Sequence, residues 1–377
     1  MRAFVFTDKA LGRRARQFVW LSINTERAGN SGVLSRFPVE AWPSFFVIDP
    51  RTEKVALRWV GGATLPQVER LLDDGRRAVT GGGKGLEEIL ARADRLYGEK
   101  RNAQAAAAYR EALAKAPPRW KHRARATESL LFALQSTRGF GACAGTARAA
   151  FARLALTPSA ANVAATGLDC ALALDAGDPR RSSLVAALAA DARRVIDHPR
   201  PGWAADDVSS VYDQLAQERS AAKDENGRRE VLTGWARFLE GEAARAKTPE
   251  ARAVFDSHRV SVYLALGEPE RAVPMLEASQ RDLPDDYNPP ARLAAAYKAM
   301  KRWDDALAAI DQALAKAYGP RKVGFFGTRA DILAAKGDAA GARQTLEEGI
   351  RFAEALPAEQ RSDRSIAGLK KKLAEVS

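Results

Sequence analysis

The pattern of hydrophobic and polar positions changes near residue 80 of the 377-residue chain. Before this point the apolar residues fall in two short runs, 18–23 and 45–48, and in the alternating stretch 54–60. Short runs rich in aromatic and β-branched side chains predict strands. Beyond residue 85, apolar residues recur at every third or fourth position, which predicts helices. The sequence therefore predicts a short α/β segment followed by a longer all-α region.

A β-hairpin and a closing helix are predicted at the end of the N-terminal segment. The turn between the strands 45–48 and 54–60 begins at Asp49 and Pro50. Thr64 stands where it would cap an amphipathic helix. Upstream of the hairpin, helical turns are predicted over 9–17 and 30–37.

This order of elements resembles the later part of a thioredoxin-like domain. The most specific match is segment 40–49, EAWPSFFVID, which is similar to the segment that leads into the fourth strand of that family. The resemblance implies a cis peptide bond at Pro43, with Trp42 and Pro43 lining the groove used for thiol exchange. A trans proline that simply opens a strand would fit the same residues.

The reactive W-C-x-x-C motif of that family is missing, because the match begins within the helix that would follow it. Two hypotheses explain this: the motif lies upstream of Met1, or the domain is a redox-inactive remnant that caps the helices. The strand that lies at the centre of the sheet in that family, between the strands that match 18–23 and 45–48, is missing as well. Its loss would leave backbone groups of both neighbours unpaired, so we expect the isolated fragment to be poorly stable.

Four sets of residues recur along the C-terminal helices. The turn positions Gly267, Lys301 and Gly337 are spaced by 34 and 36 residues. The other sets are a large residue late in the first helix (Tyr263, Tyr297, Leu333), a small residue early in the second (Ala272, Ala306, Ala342) and an apolar residue further on (Leu276, Ile310, Leu346). This register resembles tetratricopeptide (TPR) repeats, in which two antiparallel helices occupy about 34 residues.

The predicted fold class is an incomplete α/β thioredoxin-like domain followed by an all-α, TPR-type superhelical solenoid. The predicted domains are a partial thioredoxin-like domain (1–79), a glycine-rich linker (80–85), a TPR (86–117), degenerate helical repeats (118–252), three TPR units (253–356) and a C-terminal capping helix (357–377). The number of repeats within 118–252 stays open. Helices are predicted there over 128–135, 144–154, 162–174, 182–196, 206–217 and 228–246.

Charge and cysteine usage narrow the range of functions. The net charge of +12 comes from Lys and Arg spread along the chain without interleaved aromatics, so we predict solvated helix faces and no nucleic-acid site. Cys143 and Cys170 are predicted to be core thiols, and no metal site or cofactor is predicted. With no membrane span or signal peptide recognised, the chain as written is predicted to be cytoplasmic; an upstream start would allow a periplasmic or secreted location.

In TPR proteins the first helices of the repeats line a groove that holds a peptide or a partner helix. Some TPRs clamp a terminal carboxylate with Lys, Asn and Arg, a set that the equivalent positions here lack, since they carry Ser257, Ser261, Ala291, Ala295, Gly327 and Asp331. Arg292 and Lys298 are the candidate anchors for an acidic peptide, although solvated surface charges would fit the same positions.

The primary functional hypothesis is a protein–protein interaction scaffold whose repeats bind a protein or peptide, with no enzymatic activity in the chain as given. The alternative is a thiol–disulfide oxidoreductase whose C-x-x-C motif lies upstream and whose repeats dock substrate proteins.

Overall fold

The computed structural model describes residues 5–39, 41–81, 84–200 and 202–376. The chain divides into two compact units: unit 1 comprises Met1–Arg14 and Ala41–Trp235, and unit 2 comprises Ala15–Glu40 and Ala236–Ser377. This division differs from the predicted break at residues 80–85. The hairpin and the helices that follow the linker belong to one unit, whereas a segment near the N-terminus belongs to the other.

The predicted hairpin and its closing helix are present in unit 1. Strands β1 (Ser44–Ile48) and β2 (Val55–Val60) pair in antiparallel orientation. Helix α2 (Leu65–Thr80) follows. The backbone N–H of Thr64 donates a hydrogen bond to Oε1 of Gln67 at 2.8 Å, as in a capping box.

The hairpin packs against helices on both sides of the predicted linker, α2 and α3 (Leu86–Gly98). A Cβ added at Gly75 of α2 would lie 2.6 Å from Val47, and one added at Gly98 of α3 would lie 2.5 Å from Val55. These glycines allow the helix backbones to approach the strand side chains closely. The hairpin therefore covers the first helices of the all-α region.

The predicted strand at residues 18–23 is wrong. These residues have no regular secondary structure, and Val19 and Leu21 are 89% and 76% exposed. Among the described residues β1 and β2 are the only strands, so no thioredoxin-like sheet is formed. In the described residues β1 and β2 pair only with each other, so the run 18–23 is not part of their sheet.

The remaining elements are helical, and all six helices predicted within 118–252 are present. The further helices of unit 1 are α4 (Asn102–Lys115), α5 (Arg123–Ser136), α6 (Phe140–Leu154), α7 (Ala160–Leu172), α8 (Arg181–Asp197), α9 (Ala205–Ala221) and the first part of α10 (Glu225–Arg245). Unit 2 contains α1 (Ser31–Arg36), the end of α10, α11 (Pro249–Ala253), α12 (Asp256–Leu266), α13 (Ala272–Asp282), α14 (Asn288–Ala299), α15 (Trp303–Lys316), α16 (Gly319–Lys336), α17 (Ala339–Glu354) and α18 (Asp363–Glu375). Short 3-10 helices lie at Lys9–Arg14, Ala28–Asn30, Pro269–Arg271 and Ala358–Gln360.

Six helix pairs in the described residues share one turn geometry. The residue at the turn has a left-handed φ between +57° and +95°. The backbone N–H of the residue after it donates to the carbonyl oxygen of the residue five positions before the donor, at 2.8 or 2.9 Å, and this hydrogen bond closes a Schellman motif. The turn residues are Lys100, Arg138, Lys223, Gly267, Lys301 and Gly337. The residue nine positions later is buried in every pair: Tyr109, Ala147, Leu232, Leu276, Ile310 and Leu346. The predicted register is confirmed and extends into 118–252.

Helix α18 is the predicted C-terminal helix. Ser362 caps it by accepting a hydrogen bond from the backbone N–H of Ser365 at 3.2 Å. Ile366 and Leu369 are buried in an apolar cluster with residues of α16 and α17. The helix therefore closes the apolar surface that the last repeat would otherwise expose.

Candidate peptide-binding site

Two predicted groove residues, Lys298 of α14 and Asp331 of α16, lie together. Nζ of Lys298 is 3.4 Å from Oδ2 of Asp331, and Lys372 of α18 pairs with the other oxygen of the same carboxylate. The structure therefore places Lys298 in an ion pair between the first helices of consecutive repeats.

The other three predicted groove residues lie in the first helices of two repeats: Ser257 and Ser261 in α12, and Arg292 in α14. In α12, the hydroxyl of Ser261 donates to the carbonyl oxygen of Ser257 at 3.0 Å, so this contact stays within one helix. Arg292 of α14 is partly buried. Burial lowers the pKa of Arg292; Asp256 opposes this shift, and the charge of Arg321 adds to it. Arg292 therefore belongs to a group of charges near the starts of α14 and α16.

The starts of α14 and α16 hold a segment from near the N-terminus of the chain. The carboxylate of Glu26 accepts a hydrogen bond from the hydroxyl of Tyr287 and lies 3.4 Å from Nε of Arg321. Tyr287 immediately precedes α14, and Arg321 lies in the first turn of α16. Helix N-termini carry partial positive charge that favours an anion. The Glu26 side chain is only 18% exposed.

Tyr318, which precedes α16, contacts the residues on both sides of Glu26. Its hydroxyl accepts a hydrogen bond from Nδ2 of Asn24 at 2.8 Å. The guanidinium of Arg27 lies 4.1 Å from the centre of its ring, a cation–π distance. We name Tyr287, Tyr318 and Arg321 together the Glu26 pocket.

The backbone of the bound segment is also held. Nε2 of Gln360 donates to the carbonyl oxygens of Thr25 and Arg27 at 2.8 and 3.0 Å. Gly319 has a φ of +59°, and a Cβ added there would lie 2.1 Å from the carbonyl oxygen of Glu26. This position requires glycine for its backbone conformation and for the close approach.

Burial raises the pKa of Tyr287, and the hydrogen bond to Glu26 and the negative charge of that residue raise it further. The hydroxyl of Tyr287 therefore keeps its proton at neutral pH and acts as a donor to Glu26. Sequence reasoning missed the Glu26 pocket because its partners are 261 or more positions from Glu26. No local pattern reports a contact at that separation.

The Trp42–Pro43 peptide bond is cis, as predicted. The carbonyl oxygen of Pro43 accepts a hydrogen bond from the backbone N–H of Gly61 at 2.9 Å, and Trp42 is 68% exposed. The role of Trp42 and Pro43 in a thiol-exchange groove stays a prediction.

Cys143 and Cys170 are buried as predicted but are not free thiols. A disulfide joins them between α6 and α7, with Cα atoms 6.1 Å apart. Cys143 stands five residues after the turn residue Arg138, a position that alanine occupies in four of the other five pairs and Arg228 in the fifth. A small, buried side chain suits that position. The repeat register explains why Cys143 is buried, but nothing in it indicates a bond to Cys170.

A buried charge network connects α2 with the first helix pair of unit 1. Arg125 of α5 lies 2.9 Å from Asp74 of α2 and donates to both oxygens of Asp94 of α3 at 2.9 and 3.0 Å. Tyr109 donates to Asp94 at 2.7 Å. Burial would raise the pKa of Asp74, but the hydrogen bond from His122 and the charge of Arg125 lower it overall. These contacts give the network a structural role.

Two further carboxyl groups, Glu128 of α5 and Asp207 of α9, are buried in unit 1. Burial raises the pKa of Asp207 to about 7, and the charge of Asp206 adds to the shift, while a hydrogen bond from Asn162 opposes it. Burial also raises the pKa of Glu128 well above its ordinary value; a hydrogen bond with Ser159 opposes this, whereas the charge of Asp207 adds to it. Both carboxyl groups therefore keep their proton to a higher pH than an exposed carboxyl group does.

Comparison with known proteins supports the repeats. Residues 263–322 match the sequence model of the tetratricopeptide repeat family. This stretch includes the Schellman turns at Gly267 and Lys301. No curated protein matches the chain. The described residues are therefore predominantly helical, and the stretch 263–322 contains tetratricopeptide repeats.

Several solved TPR structures are similar to this chain at low identity. A tetratricopeptide repeat protein from Parabacteroides merdae is 11% identical, with a TM-score of 0.48 over 78% of this chain and 100% of that one. The TPR2AB domain of yeast Sti1, solved in complex with pHSP90, is 15% identical, with a TM-score of 0.28 over 77% and 98%. A thermophilic TPR protein from Thermus thermophilus is 18% identical, with a TM-score of 0.31 over 66% and 100%.

Across the described residues, no helix combines the length and the apolar character needed to cross a bilayer. Within the same residues, no three His, Cys, Asp or Glu side chains are grouped so that they could hold a metal ion.

Proposed function

We propose that this protein is an interaction scaffold whose C-terminal TPR repeats bind a segment of another protein. The observation that carries the proposal is the contact between the starts of α14 and α16 and residues 24–27 of the chain itself. This surface already holds polypeptide through side-chain and main-chain groups, as a peptide-binding surface must.

The buried disulfide argues against thiol–disulfide exchange by the chain as given. Exchange needs an accessible thiolate, and both sulfur atoms lie in residues with no exposed surface. The alternative oxidoreductase function therefore has no support in the described residues.

Site-specific photo-cross-linking tests the scaffold function. A photoreactive amino acid replaces Ser261, an exposed residue of α12 at a predicted groove position. In the matched control it replaces Arg343, an exposed residue of α17, which is the second helix of its pair and is not predicted to line the groove. We expect adducts with a discrete partner protein from position 261 and none from position 343. Equal labelling at both positions, or no adduct at 261 in the native cell extract, would contradict the scaffold function.

A further inference from the structure

We propose that the Glu26 pocket recognises an acidic segment of a partner protein, and that residues 24–30 occupy it in cis as an exchangeable inhibitor. The partner segment has a glutamate in a surface turn, with asparagine two residues before it and arginine directly after it. This proposal rests on the proposed function, since it specifies the partner chemistry and the regulation of the same repeats.

The side chains of Asn24, Glu26 and Arg27 each contact a residue of the pocket. The Glu26 carboxylate meets Tyr287 and Arg321, while Asn24 and Arg27 both contact Tyr318. Charge-assisted hydrogen bonds are the stronger and more directional kind, so the carboxylate is the dominant recognition element. All of these contacts come from four consecutive residues, so a segment of another protein with the same side chains could form them.

The remaining contacts are made to the main chain of the bound segment and do not depend on the side chains of that segment. Gln360 donates to two carbonyl oxygens of the segment, and Gly319 approaches a third. Main-chain contacts hold a segment of the right backbone conformation, and the side chains then select among such segments. The pocket therefore combines general affinity for a turn with selectivity for glutamate.

The cis segment is attached in a way that permits release. None of residues 15–39 is fully buried, and the apolar run before Glu26 stays on the surface, with Val19 and Leu21 largely exposed. A segment without a buried apolar anchor opens at small free-energy cost. A tethered occupant nevertheless competes at an effective concentration of roughly millimolar. It therefore weakens the binding of an acidic partner segment to the Glu26 pocket until it is displaced.

Fluorescence anisotropy with a labelled peptide of sequence SINTERAGNS, residues 22–31, tests both parts of the proposal. The full-length variant Glu26→Ala lacks the anchor of the cis segment, and we expect it to bind the peptide about tenfold or more tightly than wild type. The additional change Arg321→Ala should abolish this binding, as should glutamine in place of the peptide glutamate. Glu230→Ala, an exposed change in α10, should bind like wild type.

Glu26→Gln provides a second open variant that keeps the side-chain volume, in case the alanine variant does not fold. The proposal is overturned if neither open variant binds the peptide more tightly than wild type, or if the glutamine peptide binds equally well. The photo-cross-linking experiment distinguishes failure of this proposal from failure of the scaffold function. Adducts from position 261 without peptide binding leave the scaffold function intact and remove only the acidic-segment proposal.

Discussion

At the scale of single residues, the left-handed turn positions carry the repeat geometry. Lys301 has a φ of +59°, where the Cβ of an L-residue crowds the following carbonyl oxygen. We predict that Lys301→Gly raises the free energy of unfolding by about 0.5 kcal/mol, because relief of strain exceeds the added flexibility of the unfolded chain. Urea denaturation measures this change.

Lys371, exposed within α18, provides the control for the glycine substitution. There the backbone is helical, and Lys371→Gly should lower the free energy of unfolding by about 1 kcal/mol. Destabilisation of similar size at both positions would show that the turn at Lys301 is not strained.

A second prediction concerns Asp207 and pH. Its folded-state pKa of about 7 exceeds the ordinary value of 3.8, so between these values the folded protein keeps a proton that the unfolded chain releases. The stability from this group is complete at low pH and is lost as pH rises from about 4 to about 7. Asp207→Asn mimics the protonated acid, so it should match wild type near pH 4 and exceed it at pH 8 by about 2–4 kcal/mol.

Urea denaturation of wild type and Asp207→Asn across this pH range measures the effect. Asp175, an exposed aspartate elsewhere in unit 1, gives the control, and Asp175→Asn should change the free energy of unfolding by no more than about 0.5 kcal/mol. A constant difference between wild type and Asp207→Asn at all pH values would rule out a raised pKa at this position.

At the scale of secondary-structure elements, Arg125 of α5 holds three helices together through its ion pairs with Asp74 of α2 and Asp94 of α3. Arg125→Met removes the cation and leaves Asp74 and Asp94 buried without it. We predict a loss of about 3–5 kcal/mol in the free energy of unfolding, because an uncompensated buried charge is strongly destabilising. Arg110→Met, at an exposed position of α4, should stay within about 0.5 kcal/mol of wild type in the same denaturation experiment.

The disulfide between α6 and α7 gives a further prediction for these elements. Cys143 and Cys170 are 27 positions apart. Closing a loop of that length raises the free energy of unfolding by about 3.5 kcal/mol, mainly because it constrains the unfolded chain. Unfolded, unreduced protein should contain no titratable thiol, and reduction should expose two and lower the melting temperature. Detection of two thiols without reductant would show that the bond is not formed.

Local patterns predicted most of the elements correctly. The hairpin, α2 and the helix pairs follow from turn residues, caps and apolar periodicity, all of which act within one or two turns of the chain. The repeat register identified Ala272, Ala306 and Ala342 as small-residue positions, and the structure buries all three. Of the predicted groove residues, the structure brings together Lys298 and Asp331.

The errors arise where the outcome depends on distant partners. Residues 18–23 have the composition of a buried strand, but composition does not report whether a neighbouring strand exists. The contact of Glu26 with Tyr287 and the disulfide likewise need tertiary knowledge. Polar contacts of this kind leave no periodic pattern along the sequence, unlike apolar burial.

At the scale of the whole molecule, the central claim is that a segment near the N-terminus lies in the Glu26 pocket of the TPR repeats of unit 2. Hydrogen exchange measured by mass spectrometry tests it most directly. The amides of Glu26, Arg27 and Asn30 are hydrogen-bonded within the bound segment, and their protection depends on the segment staying in place.

We predict that Arg321→Ala accelerates exchange of residues 24–30 about tenfold or more, while exchange in α14 and α16 and throughout the exposed control variant Arg343→Ala stays at the wild-type rate. Unchanged exchange of residues 24–30 in Arg321→Ala would contradict the account, because the segment would then be held by something other than its pocket.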